Sequence, residues 1–275
     1  GTRLGTTATV FQEISPTRNY FGGEYGVSTT GPIHLSPAQP IRTVHGQVFW
    51  THTNSVFNAR SFFQVGGVKP SRENQYGAQV NIPLWKKAWF SIDASQHKTR
   101  GQVNGNVLVP RPEERAPLTT DPAARALIQR WIAAFPSELP NRTDIDPRAL
   151  NTNSPQSINT DSTVLRLDQA IGTKDQLILR HTYTNQDIDA FQFVAGQNPD
   201  TTTKNHSSRM TWARAYSPRT VSEFSLGFDR THSLLVAEPN AVGPQVQIGT
   251  AYTILGPGSG IPIDRVQNRF RHAGL

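Results

Sequence analysis

The chain has no cysteine. Disulfide frameworks, thiolate nucleophiles and thiolate metal sites are thereby excluded, although cytoplasm and periplasm are not separated by that absence. Charge is scarce, at 17% of 275 residues, and hydrophobic residues make up only 36%, little for one large core. No apolar run approaches the ~18 residues of a membrane-spanning helix. No Lys/Arg run exceeds two residues, so the net charge of +7 reads as a scattered positive field. A nucleic-acid stripe is absent, and nucleic acid is not an expected partner. The opening GTRLGTTATVFQ lacks the layout of a signal peptide and has no initiating Met. The closing DRVQNRFRHAGL stops inside what reads as a strand. Both ends therefore read as cut, by processing or by gene boundaries.

Familiar site chemistry is missing too. Eight histidines, His34, His45, His52, His97, His181, His206, His232 and His272, are dispersed without the spacing of a metal helix. GPGSG (256–260) lacks the following Lys-Ser/Thr of a phosphate loop. Asp144 and Asp146, and Asp187 and Asp189, stand two apart and read as solvated loop charge, without the rest of a calcium-coordinating set. No G-x-S-x-G elbow occurs. No catalytic, cofactor or metal residue is expected, no enzyme is indicated, and ligand-binding residues are unknown.

What is present is alternation. In NQYGAQVNIPLWKKAWFSIDASQ (74–96), Tyr76, Ala78, Val80 and Ile82 alternate with Gln75, Gly77, Gln79 and Asn81. After a break at Pro83 to Lys87, Ala88, Phe90, Ile92 and Ala94 alternate with Trp89, Ser91, Asp93 and Ser95. Period two predicts half-buried strands, and a hairpin of 74–82 with 88–96. Further strands are predicted at 44–52, 162–170, 176–185, 207–216, 221–230 and after Ile263. Each is about nine to eleven residues, the length of a tilted spanning strand. The predicted connections alternate long and short throughout. Lipid forbids open edges and irregular backbone, so outer-membrane barrels keep short turns on one side and long loops on the other.

Face assignments follow. Leu165 and Leu167 alternate with Arg166 and Asp168, and Phe224, Leu226 and Phe228 with Ser225, Gly227 and Asp229. His181 and Arg214 fall on the apolar parity; Arg214 is near a strand end and can snorkel, whereas His181 has no excuse in the sequence. Trp85, Trp89 and Tyr216 cluster near short turns, as an interfacial girdle would. One helix is predicted over 122–135, capped by Thr120 or Asp121, started by Pro122 and ended by Pro136. Leu127, Trp131 and Phe135 are its expected buried stripe.

The segments YFGGEYG (20–26), VHGQVFW (44–50), NSVFNARSFF (54–63) and KPSRENQYGAQVNIPLWKKAWFSID (69–93) carry a resemblance. So do VPRPEERA (109–116), DPAARAL (121–127) and LRLDQAIGTKDQLILRHTY (165–183). In their order and spacing, over about residues 11–230, the chain resembles the Oar-like TonB-dependent receptors of the bacterial outer membrane. That resemblance implies an all-β, antiparallel transmembrane barrel segment of about seven or eight strands, with long extracellular loops and one loop helix. Residues 1–43 would be the end of a plug domain, and 44–275 the N-terminal part of a barrel of twenty-two strands. Where such a plug runs a Gly- and Val-rich strand into the barrel, this chain has GPIHLSPAQPIRT (31–43). The implied function is energy-coupled uptake of an unknown small ligand. The implied partners are outer-membrane lipid and, through parts outside this chain, the TonB complex. The alternatives are a passive porin-like or structural barrel and a secreted β-rich binding domain.

Overall fold

The structure is a computed structural model, which describes residues 11–16, 33–37, 43–59, 68–217, 219–243 and 245–274. Two short strands, β1 (Phe11–Pro16) and β2 (Ile33–Pro37), pair antiparallel. Apart from these strands and residue 43, the expected plug end over residues 1–43 lies outside the described residues.

Eight further strands form one antiparallel meander. They are β3 (His45–Asn54), β4 (Ser71–Trp85), β5 (Ala88–Leu108), β6 (Ala149–Ile171), β7 (Asp175–Asp189), β8 (Asp200–Ser217), β9 (Thr220–Val236) and β10 (Ile263–Gly274). Each pairs with its neighbours in sequence, which leaves β3 and β10 as edges. In hydrocarbon such edges need partners, from further strands or from one another.

The connections alternate as expected. Short connections join β4 to β5 (86–87), β6 to β7 (172–174) and β8 to β9; long ones separate β3 from β4, β5 from β6 (109–148), β7 from β8 (190–199) and β9 from β10. Gly172 closes its turn with φ of 63°, where glycine carries no Cβ penalty. Lys87 takes the same left-handed conformation, and its Nζ donates to the Gly172 carbonyl at 2.6 Å. Adjacent short turns are thereby tied together.

The predicted hairpin is present in the expected register. Val80 lies opposite Ile92 and Ile82 opposite Phe90, which puts them on one face with Tyr76. The strands are longer than expected, however. β5 has 21 residues and β6 has 23, so 99–108 and 149–161 are strand rather than connection. Their long-connection ends, such as GQVNGN (101–106), are polar on both faces, and no apolar period marks them. The ladder persists there because backbone pairing does not need an apolar face. By the same cause the β7–β8 connection shrinks to 190–199, where about twenty residues were expected.

Burial runs opposite to that of a soluble sandwich. On the polar face Asn81 is 4% exposed, Asp93 6% and Asp168 1%. On the apolar face Val80 is 39% exposed, Leu226 42% and Trp212 39%. A continuous exposed apolar surface of this kind marks a membrane or an interface. The polar face is the one the wall crowds together. A Cβ on Gly77 would stand 2.8 Å from the Ser95 side chain and 2.9 Å from the Phe49 ring.

The girdle needs one correction. Trp85 sits opposite Ala88 on the apolar face, and its Nε1 donates to Gln169 Oε1 at 2.6 Å. Trp89 pairs with Asp168, on the polar face. Trp212 joins the girdle instead, with Nε1 donating to Asp175 Oδ1 at 3.0 Å. Arg214 reaches Asp175 at 3.8 Å and lies over the Tyr216 ring, near the turn. His181 gains its excuse from the next strand, because its Nδ1 and Ser208 Oγ are hydrogen-bonded at 2.9 Å. A polar group facing lipid is satisfied by a partner 27 residues away.

Candidate functional site

Two features stand above the wall's general chemistry. The first is a row of arginines on the polar face. Arg166 pairs with Arg180, Arg180 with Arg209, Arg209 with Gly227, and Gly227 with Arg271. Neighbouring strands lie about 4.8 Å apart, so three like charges stand side by side on β6, β7 and β8, and a fourth stands on β10 beyond Gly227 of β9. Such pairs are unfavourable unless acids intervene. Asp168 accepts two bonds from Arg166, at 2.7 and 2.8 Å, and is nearly fully buried. Asp229 accepts from Arg209 at 2.8 and 3.0 Å and meets Arg271 at 3.0 Å. Arg180 has no acidic partner among the described residues. Gly227 makes room for this geometry, since a Cβ there would stand 2.8 Å from Arg209 Nη1 and 3.0 Å from its Cζ. The row is a strip of positive potential with one uncompensated guanidinium, suited to attracting anions.

The second feature is a domain built from the long connections. Its core is Val107, Val109, Ala134, Phe135, Leu150, Val194, Val242 and Leu255. These come from the ends of β5 and β6 and from three different loops. Backbone bonds join the loops: Ala195 N donates to Ala134 O at 2.9 Å, and Thr253 N to Leu108 O at 3.0 Å. Gly196, with φ of 82°, lets the loops touch; a Cβ there would stand 2.5 Å from that of Ala241.

The helix α1 (Pro122–Ala133) lies in the longest of these loops. Asp121 caps it, its Oδ2 accepting from Ala124 N at 2.8 Å. Of the expected stripe, Phe135 is buried and Trp131 packs partly against the core. Leu127 is 47% exposed, contrary to expectation. Only the helix's C-terminal end reaches the core, so its first two turns project from it.

Beside that end, Glu114 binds two arginines. Arg148 Nε donates to it at 3.0 Å and Arg111 Nη2 at 2.9 Å. Arg148 chiefly, helped by Arg111 and Tyr252, holds the Glu114 carboxyl down at about 2, against the opposing push of partial burial. Arg148 also stacks over Tyr252, 5.1 Å from the ring centroid, and ties loop 109–148 to loop 237–262.

Asp144 and Asp146 lie in a loop as expected, whereas Asp187 and Asp189 belong to strand β7 and not to a loop, because the ladder runs on past the apolar belt; all four have protein partners. Asp144 meets Arg142, Asp146 accepts from Arg148 N, Asp187 from Asn185 and Thr202, and Asp189 from Ser157. Among the described residues no group of three or more metal-capable side chains is assembled. His52, His97, His181 and His232 each pair with a different neighbour. GPGSG lies in the loop after the isolated Val246–Leu255 bridge, with no helix behind it.

The arginine row escaped the sequence reading because its members lie on four strands far apart in the chain. A signal existed in the triplets LRL (165–167), LRH (179–181), SRM (208–210) and FRH (270–272). Each places Arg on the polar parity of an alternating strand. Register alone aligns them.

Residues 42–267 match the model of a family described as an outer membrane beta barrel domain. The chain belongs to this family. It is a bacterial outer-membrane barrel protein, and the exposed apolar face is its lipid face. No curated protein and no solved structure matches the chain. In an outer-membrane barrel the polar face is the lumen wall, so the arginine row faces the lumen. The long connections are extracellular and the short turns periplasmic. A hollow of about 600 Å³ on the apolar side, lined by Phe90, Leu165, Leu179, Met210, Leu226 and Phe228 among others, is accordingly a lipid-facing depression.

Proposed function

We propose that this barrel protein is part of a TonB-dependent receptor for energy-coupled uptake, a transport rather than a catalytic role. The observation that carries this reading is the extracellular domain. Three long loops share one core and are bonded to one another, a considerable structure to maintain above a simple hole. Rigid loop domains of this kind present a defined surface to a ligand. The order and spacing of the motifs from YFGGEYG to LRLDQAIGTKDQLILRHTY support the same reading. Eight strands leave both sheet edges unpaired, which suits a wall that continues into a larger barrel.

A passive, anion-admitting barrel is the second reading. Arg180, unpaired on the lumen wall, favours it. One comparison separates the two. A receptor binds the isolated C-terminal domain of TonB and is electrically silent in a planar bilayer. A passive barrel conducts and ignores TonB. Open, anion-selective conductance with no TonB binding by the intact protein would overturn the receptor reading.

A further inference from the structure

We propose that the lipid-facing side of the β4–β5 hairpin, at its extracellular end, binds the phosphorylated headgroup of the outer leaflet's glycolipid. The residues are Arg72, Lys98 and Arg100. Arg72 lies directly opposite Arg100, and Lys98 opposite Asn74. All three share the parity of Val80 and Ile92, so they stand on the lipid face. Their other neighbours on that face are uncharged: Asn54 beside Arg72, Asn159 beside Lys98 and Ser157 beside Arg100.

Two cations directly opposite each other on a sheet repel. Here no carboxylate relieves them. None of the three belongs to an ion pair among the described residues. Of the acids on the same face at this end of the wall, Asp161 accepts from Gln96, Asp187 from Asn185 and Thr202, and Asp189, one strand beyond Ser157, from Ser157 at 3.4 Å; none forms an ion pair with the three cations. Glu73, next in sequence to Arg72, is on the lumen parity and pairs with His97. The cluster is therefore charged and unneutralised, whereas the lumen row has acids at Asp168 and Asp229.

The donors are also arranged. Arg100 uses Nη1 on the Thr99 carbonyl at 2.8 Å and Nη2 on Asn159 Oδ1 at 2.9 Å. A guanidinium has five N–H groups, so others remain for an anion. Lys98 lies over the Tyr76 ring, its Nζ 5.8 Å from the centroid, so the ammonium is held by an aromatic face and has no carboxylate beside it. Arg72 and Arg100 are exposed.

Height selects the partner. At about 3.3 Å per residue and a tilt of about 40°, Lys98 stands roughly 25 Å and Arg100 roughly 30 Å above Ala88 along the membrane normal. Ala88 is at the periplasmic turn, opposite Trp85 of the girdle. The apolar band of such barrels is about 25 Å tall. The three cations thus lie where the hydrocarbon ends on the extracellular side. The anions concentrated at that level, against the outside of the wall, are glycolipid phosphates. Charge-assisted bonds from Arg and Lys to phosphate oxygens are the contacts that fit.

The test uses the intact protein in mixed micelles, titrated with bis-phosphorylated lipid A and, separately, with enzymatically dephosphorylated lipid A. The wild type is expected to bind the phosphorylated form. The triple variant Arg72→Gln/Lys98→Gln/Arg100→Gln is expected to bind it at least about tenfold more weakly, the worth of one charge-assisted contact. The dephosphorylated lipid should show no difference between the two proteins. Lys86→Gln, at the periplasmic turn, should leave binding unchanged. Should the triple variant fail to fold, Arg72→Gln alone, in the same titration, is expected to weaken binding severalfold. Equal affinity of variant and wild type for phosphorylated lipid A would overturn the proposal. So would equal binding of the dephosphorylated form, or displacement by millimolar inorganic phosphate, which would indicate a site for free anions.

Discussion

Replacing Phe135 with Ala removes a ring that is 7% exposed and stands 6.1 Å, centroid to centroid, from Tyr252. Phe135 belongs to the one cluster that holds the three loops together. Large-to-small core changes of this type cost about 3–5 kcal/mol. At the lower end, the opening equilibrium of the loop domain rises by roughly a hundredfold. Amide hydrogen exchange of the membrane-inserted protein reads this directly. Exchange is expected to accelerate together in 109–148, 190–199 and 237–262, because Ala134 O to Ala195 N and Phe135 to Tyr252 join them. The amides of 75–96, within the wall, should not change. Leu127→Ala is the control: its side chain is 47% exposed, and the effect should stay within about 0.5 kcal/mol. Acceleration confined to 131–137 would refute the reasoning, since the loops would then not be one cooperative unit. No acceleration anywhere would remove Phe135 from the core.

Three further outcomes are expected. Glu114 has its carboxyl held at about 2 against an ordinary 4.5, so its interaction with Arg148 stabilises the loop domain fully above pH 4.5 and is lost as pH falls through about 2. Loop protection should decline across that window, and Glu114→Gln should flatten the decline without changing the wall. On the lipid face, Val80→Arg is expected to cost about 2–4 kcal/mol near the midplane in denaturant unfolding from vesicles, and Gln79→Arg much less; equal costs would contradict the face assignment. Gly227→Ala drives Arg209 off Asp229, because the new Cβ meets the guanidinium at 2.8 Å. A loss of about 1–3 kcal/mol is expected by the same unfolding assay, and Arg209→Ala should add little on top of it, since the two act through one contact.

Much of the wall was legible in the chain. Tyr76 to Ile82 and Ala88 to Ala94 alternate strictly, and a period of two has only one reading in a strand. The alternation of long and short connections carried the membrane assignment, because hydrocarbon tolerates neither loose backbone nor open edges. Asp121 and Pro122 likewise announced their helix, since capping is a local matter. Beyond the apolar belt the pattern fails. In 99–108 and 149–161 both faces meet water, so pairing between strands 40 to 60 residues apart holds the ladder and no periodicity reports it. The same limit hid the arginine row, the His181–Ser208 bond and the Arg72–Arg100 juxtaposition. Each depends on register between strands, and register is a property of the assembled sheet. Leu127 shows the converse: a helical stripe reveals which side is apolar, but only the packed loops decide how far along that stripe the core extends.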